Sequence, residues 1–158
     1  SVLERHLLKV VEAVEAACLR ANGRSVTVMA DELVQAFFEA KFAEPDVSRV
    51  LYAVAAEVGA DAVVARLTQR SQRALCDMLA TASDRRFDDP ATVSFILSTS
   101  IIGPVQALLG SSATHALVGR VQEHVTSMVS AYLFQMGCEV QAEKRLRGPS
   151  LAGSSRRR

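Results

Sequence analysis

Apolar residues recur every three or four positions along most of this chain, the spacing that lines one face of an α-helix. Leu3, Leu7, Val10, Val11, Val14, Ala17 and Cys18 form such a line, with Glu4, Arg5, Lys9, Glu12 and Glu15 outside it, and predict a first helix over 2–21. Asn22 and Gly23 end that helix. Ser25 is the N-cap of a second, which runs to Phe42 with Val28, Met29, Leu33, Phe37 and Ala40 inward and Phe38 and Phe42 on an adjoining flank. Glu44 and Pro45 stop it. Asp46 then caps a short third helix over 47–58, carrying Val50, Leu51, Tyr52 and Val54, before Gly59 breaks the pattern. A fourth helix starts at Asp61 and runs to about Ala82 along Leu67, Ser71, Leu75, Met78 and Leu79, with Arg66, Gln69, Arg70 and Arg73 on its wet face.

The stretch from Ala91 to Gly119 departs from this alternation, because it contains no Asp, Glu, Lys or Arg. Asp89 followed by Pro90 marks a helix start. Val93, Ile96, Leu97, Ile101, Val105 and Leu108 make one face, while Phe95, Ile102 and Leu109 occupy the flank that is polar in an ordinary amphipathic helix. A helix apolar all round is buried or spans a bilayer. Ser94, Ser98, Thr99, Ser100, Gln106 and the Gly103-Pro104 pair interrupt this one, and nothing basic flanks it, so no membrane is expected. Pro104 removes a backbone donor and frees a carbonyl near Ser100, which either kinks the helix and opens a cavity or accommodates packing at a subunit seam. After Gly110-Ser111-Ser112 the last helix, 113–136, shows Val118, Val121, Val125, Met128 and Tyr132, with Leu117, Val129, Leu133 and Met136 beside them. That stripe is wider than one partner needs. From Gln141 the periodicity stops, and Gly148-Pro149-Ser150 and Gly153-Ser154-Ser155 read as disorder.

Composition narrows the fold class. A chain of 158 residues and 17.0 kDa makes one domain with a real core. Aromatic residues are few and tryptophan is absent, which favours an all-α bundle of about six helices. The net charge of +1 hides an asymmetry, with Lys144, Arg145, Arg147 and Arg156 to Arg158 gathered after residue 140. The division is thus a structured domain over 1–140 and a basic tail over 141–158; the tail either touches DNA phosphates or is a solvated end. Cys18, Cys76 and Cys138 are odd in number and widely spaced, which indicates neither a disulfide framework nor zinc, and a reducing, cytoplasmic setting follows. No signal peptide opens the chain. It begins at Ser1, inside what reads as a helix, so either the start was trimmed or residues precede it.

No catalytic chemistry is legible. His6, His115 and His124 share no metal-building spacing with carboxylates, and no nucleophile–base pair or phosphate loop occurs. Cys76 has Arg73 one turn before it, which suits a reactive thiol, but a cysteine on a mostly buried helix reads equally as a small hydrophobe. No catalytic residue, metal or cofactor is expected, and the protein is expected not to be an enzyme.

The order of the pieces resembles the regulatory half of TetR-family transcriptional repressors over roughly residues 1–137: ERHLLKVVEAVEAA, a second helix ending FFEAKFAEP, the short DVSRVLYAVAAEVGA, a long helix, then DPATVSFILSTSIIGPVQALL and a final helix. The resemblance implies that ERHLLKVV is the helix linking this half to an N-terminal helix-turn-helix domain. No helix-turn-helix is found in these residues, so the resemblance leaves effector sensing and dimerisation here and places operator DNA contact on an absent N-terminal domain. It also implies that the last two long helices of two subunits pack into a four-helix dimer interface. The residues expected there are Ile101, Val105, Leu108, Val118, Val121, Val125, Met128 and Tyr132. The apolar surplus of these helices points the same way, although a monomeric bundle with both helices central also accounts for it.

An effector pocket between helices needs mainly apolar lining and a few polar handles. Phe37, Phe38, Leu51, Tyr52, Leu67, Met78, Phe95, Thr99 and Ile102 are the expected lining for a small, largely apolar molecule, and core packing is the competing reading of each. The alternative function is a helical homodimerisation module without a ligand, which a well-packed interior would favour.

Overall fold

A computed structural model describes residues 1–55, 61–140 and 148. Six helices account for nearly all of them: α1 (Val2–Arg20), α2 (Val26–Phe42), α3 (Pro45–Ala55), α4 (Asp61–Ala80), α5 (Pro90–Gly110) and α6 (His115–Met136). The caps explain where the helices start. Ser25 Oγ accepts the Val28 N–H, Asp89 accepts the Thr92 N–H ahead of Pro90, and Thr114 Oγ1 accepts the Leu117 N–H. Gly23, at φ 73°, supplies the left-handed turn between α1 and α2. α3 begins two residues earlier than its sequence pattern indicated, because Pro45 suits a first helical position and the Ser48 N–H reaches back to the Glu44 carbonyl. The expected end of α3, the break at Gly59 and, apart from Gly148, the tail over 141–158 lie outside the described residues.

The centre of the bundle is α2, which packs against α1, α3, α5 and α6. Its Val26, Met29, Ala30 and Val34 have no exposed surface, and neither have Ala17 and Ala21 beside α1, Val105 of α5 or Leu133 of α6. The uncharged helix α5 is less central than its composition indicates. Val93, Leu97, Ile101, Val105 and Leu108 face the core, but Phe95 remains 58% and Ile96 38% exposed, which corrects the expectation of burial on all sides. By length and composition alone α5 would also cross a membrane; here one of its sides packs against α3, α4 and α6. The helix continues through Pro104 without a break.

Two short strands lie outside the all-helical expectation. Arg85–Arg86 (β1), in the loop after α4, pairs antiparallel with Cys138–Glu139 (β2), just past α6. The pairing needs Gly137, since a Cβ there would sit 2.7 Å from the Arg85 Cβ. The Arg85 guanidinium lies over the Phe134 ring, 3.4 Å from its centroid. The same loop is tied to the α1–α2 turn: Thr81 Oγ1 accepts the Gly23 N–H, Asp84 accepts the Val26 N–H, and the Ser83 N–H reaches the Arg24 carbonyl.

Candidate functional site

The periodic faces of five helices converge on a cavity of about 380 Å³. From α1 come Leu3, Leu7, Val10 and Val14, and from α2 Leu33, Phe37 and Lys41, each set one or two turns apart on one face. α3 adds Ser48, Leu51 and Tyr52; α4 adds Val64, Leu67, Ser71, Gln72 and Leu75; α5 closes the space with Ser98, Ile101, Ile102 and Gln106. The volume falls at the small end of the ~300–1,000 Å³ usual for small-molecule sites, and the mixture of apolar wall and sparse polar groups is what such sites use.

Its polar groups are arranged in two sets. At one wall Gln72 Nε2 donates to Ser98 Oγ at 2.7 Å, and Ser98 Oγ donates to the Ser94 carbonyl of its own helix at 3.0 Å. At the other, Ser48 Oγ donates to the Lys41 carbonyl at 2.7 Å and lies 3.0 Å from His6 Nε2. Since the hydroxyl proton is already committed, His6 must carry its proton on Nε2 and donate to Ser48. Burial, and after it the charge of Lys41, lowers the His6 pKa and so favours the neutral ring. The Tyr52 phenol is pushed up to about 12 by burial.

Lys41 is the odd member of this lining. It is 5% exposed, and its Nζ sits 4.5 Å from the centroid of the Tyr52 ring and 5.7 Å from that of Phe37. Burial pushes its pKa down to about 8. The unfolded chain therefore binds more protons between pH 8 and 10.5, stability rises with pH across that window, and at pH 7 the buried ammonium costs about 3 kcal/mol before the ring faces offset part of it. Lys41→Met is expected to raise the unfolding free energy by about 2 kcal/mol at pH 7 and by nothing above pH 10.5. Urea titrations of both proteins at the two pH values check this, and an equal gain at both would refute the assignment.

Of the residues expected to line a pocket, Phe37, Leu51, Tyr52, Leu67 and Ile102 meet at this cavity. Phe38, Met78, Phe95 and Thr99 are elsewhere. Phe38 stacks on Phe42 at 5.9 Å in the core, and Met78 is 2% exposed there. Phe95 and Thr99 lie on the outer side of α5, where Thr99 Oγ1 donates to the Phe95 and Ile96 carbonyls. Sequence reasoning missed Lys41, Ser48 and the α1 wall. The signal for Lys41 was its register, four residues after Phe37 on the buried face of α2.

The residues expected at a subunit seam also divide. Ile101, Val105, Leu108 and Val125 are buried within the single chain, which uses them for its own core. Val118, Val121 and Tyr132 are half-buried, and Met128 is exposed. With Pro104, Leu117, Arg120 and His124, the residues Val121, Val125 and Met128 form an open trough between α5 and α6. A wider trough between α2 and α6, lined by Thr27, Asp31, Gln122, Glu123 and Thr126, is polar and open to solvent.

An all-helical domain with a mainly apolar cavity among its helices and an uncovered apolar pair of helices is built to hold a small molecule. Over residues 25–133 the chain matches the family described as "Tetracyclin repressor-like, C-terminal domain". It belongs to that family of transcription regulators. No curated protein matches the chain, and no solved structure does. The matched span contains α2 to α5 and most of α6, whereas α1, which supplies one wall of the cavity, precedes it.

Proposed function

We propose that this chain is the effector-binding and dimerising domain of a cytoplasmic TetR-like transcriptional repressor, and that it controls a DNA-binding domain preceding α1. The observation that carries this reading is the 380 Å³ cavity enclosed by five helices, one of which is α1 itself. A small, largely apolar molecule held against Leu3, Leu7, Val10 and Val14 presses directly on the helix that leads toward the DNA-binding part. Its effect is the difference in its affinity for two settings of α1, and operator binding shifts by the same free energy. The α5–α6 pair, with Phe95, Ile96, Leu117 and Met128 uncovered, is the surface on which two copies join.

Native mass spectrometry of the purified chain tests both parts. The expected result is a dimer that retains small-molecule mass. A bare dimer that takes up no apolar compound would favour a dimerisation module without a ligand, and a monomer at all concentrations would overturn the subunit arrangement.

A further inference from the structure

Among its described lining residues the cavity contains one formal charge, and that charge is positive. Lys41 lies on the inner face of α2, in register with Leu33 and Phe37, 5% exposed and bordering the cavity. No described carboxylate comes within ion-pair distance of it, and the faces of Tyr52 and Phe37 are its partners. An ammonium is tolerated in such a place at a cost unless something completes its charge and its three donors. No described residue carries a neutralising charge to it or takes a hydrogen bond from its Nζ. Ser48 Oγ is committed to the Lys41 carbonyl and to His6, and Gln72 to Ser98. The missing counter-ion is therefore brought by what enters the cavity.

We propose that the cavity binds an apolar carboxylate, a fatty or arylalkyl acid monoanion, with its carboxylate on Lys41 Nζ and its hydrocarbon part along Leu3, Leu7, Leu51, Leu67 and Ile101. This inference rests on the cavity being the effector site. The single cation selects a single negative charge, since a dianion would retain an unpaired charge in an apolar enclosure. A cationic amphiphile meets the like charge of Lys41 with no described acid in the wall to receive it.

Among the groups around Lys41 that have a shifted pKa, it is the one placed to change charge between pH 7 and 9.5. From α1 come His6, whose pKa is lowered, and Lys9; Glu44 comes from the α2–α3 link and pairs with Lys9 at 3.9 Å on the surface; from α3 comes Tyr52, pushed up to about 12. α5 has no charged side chain. Lys41, at about 8, discharges between pH 7 and 9.5, and carboxylate affinity falls with the charged fraction until only the apolar part of the binding remains.

The test is calorimetric titration of the 158-residue chain with decanoate, 1-decanol and decylammonium, repeated with Lys41→Met and Lys41→Gln and with the wild type at pH 9.5. The wild type at pH 7 is expected to bind decanoate at least tenfold more tightly than decanol, and decylammonium most weakly. Both substitutions bring decanoate to the level of decanol while decanol binding persists, which also reports that the variants are folded. At pH 9.5 decanoate falls toward the level of decanol, which itself does not change. Equal binding of decanoate and decanol by the wild type, or a preference that survives either substitution, overturns the carboxylate proposal and leaves the cavity as an apolar site. Failure of all three probes overturns the reading of the cavity as an effector site.

Discussion

Phe38→Ala is expected to lower the unfolding free energy by about 3–5 kcal/mol. The ring is 2% exposed and stacks on Phe42 in the part of the core where α2 meets its neighbours, so its removal leaves a void that close-packed side chains fill only in part. A domain of this size has roughly 5–15 kcal/mol in total, so the variant loses a large share of its stability. The adjacent residue gives the control. Phe37 borders the cavity, so Phe37→Ala enlarges a space that already exists and loses fewer contacts, about 2 kcal/mol. Chemical denaturation of the two variants separates structural from lining phenylalanine. A Phe38→Ala loss no larger than that of Phe37→Ala would mean that α2 is rotated relative to the arrangement described.

Met128→Arg is expected to weaken dimerisation at least 100-fold while leaving the protomer as stable as before. Met128 is 47% exposed in the single chain and borders the trough with Pro104, Leu117 and Val121. An exposed position of this kind tolerates substitution within about 0.5 kcal/mol of folding stability. In a two-fold dimer the same position is met twice, so each dimer must desolvate two guanidinium groups without partners, at several kcal/mol in all. Light scattering across a concentration series reads the dissociation constant, and thermal unfolding of the monomer reads the fold. Val125→Ala makes the contrast, because Val125 is 4% exposed and its truncation weakens the protomer itself. A Met128→Arg protein that elutes as a dimer at micromolar concentration would move the subunit contact away from this face.

Helix number, order and caps are legible in the sequence because Ser25, Asp89 and Pro90 act on their own neighbours within one turn. Centrality is less legible. α5 has no charged residue and reads as the middle of the bundle, yet α2, with Asp31, Glu32 and Glu39, is the helix that four others surround. Periodicity reports how much apolar surface a helix has, not whether its own chain or a second copy covers it. The same blindness divides the pocket candidates: Phe37 and Phe38 are neighbours in sequence, and only three-dimensional packing sends one to the cavity and the other to the core. Lys41 was passed over because lysine ordinarily marks a solvated face. β1 and β2 escaped notice because two residues are too few to show an alternation.

The clasp between β1 and β2 determines where the protein can be held. The Val140 N–H bonds to the Asp84 carbonyl, and Asp84 in turn holds the first turn of α2, so Val140 lies beside the C-terminal end of α1. That point is about 28 Å, the length of the 19-residue α1, from Ser1. A biotin or fluorophore attached at position 140 therefore anchors the molecule on a sensor chip by the end remote from Ser1. Ser1 and the first turn of α1, which borders the cavity through Leu3, then face away from the support, and the uptake of small molecules can be recorded on the immobilised protein.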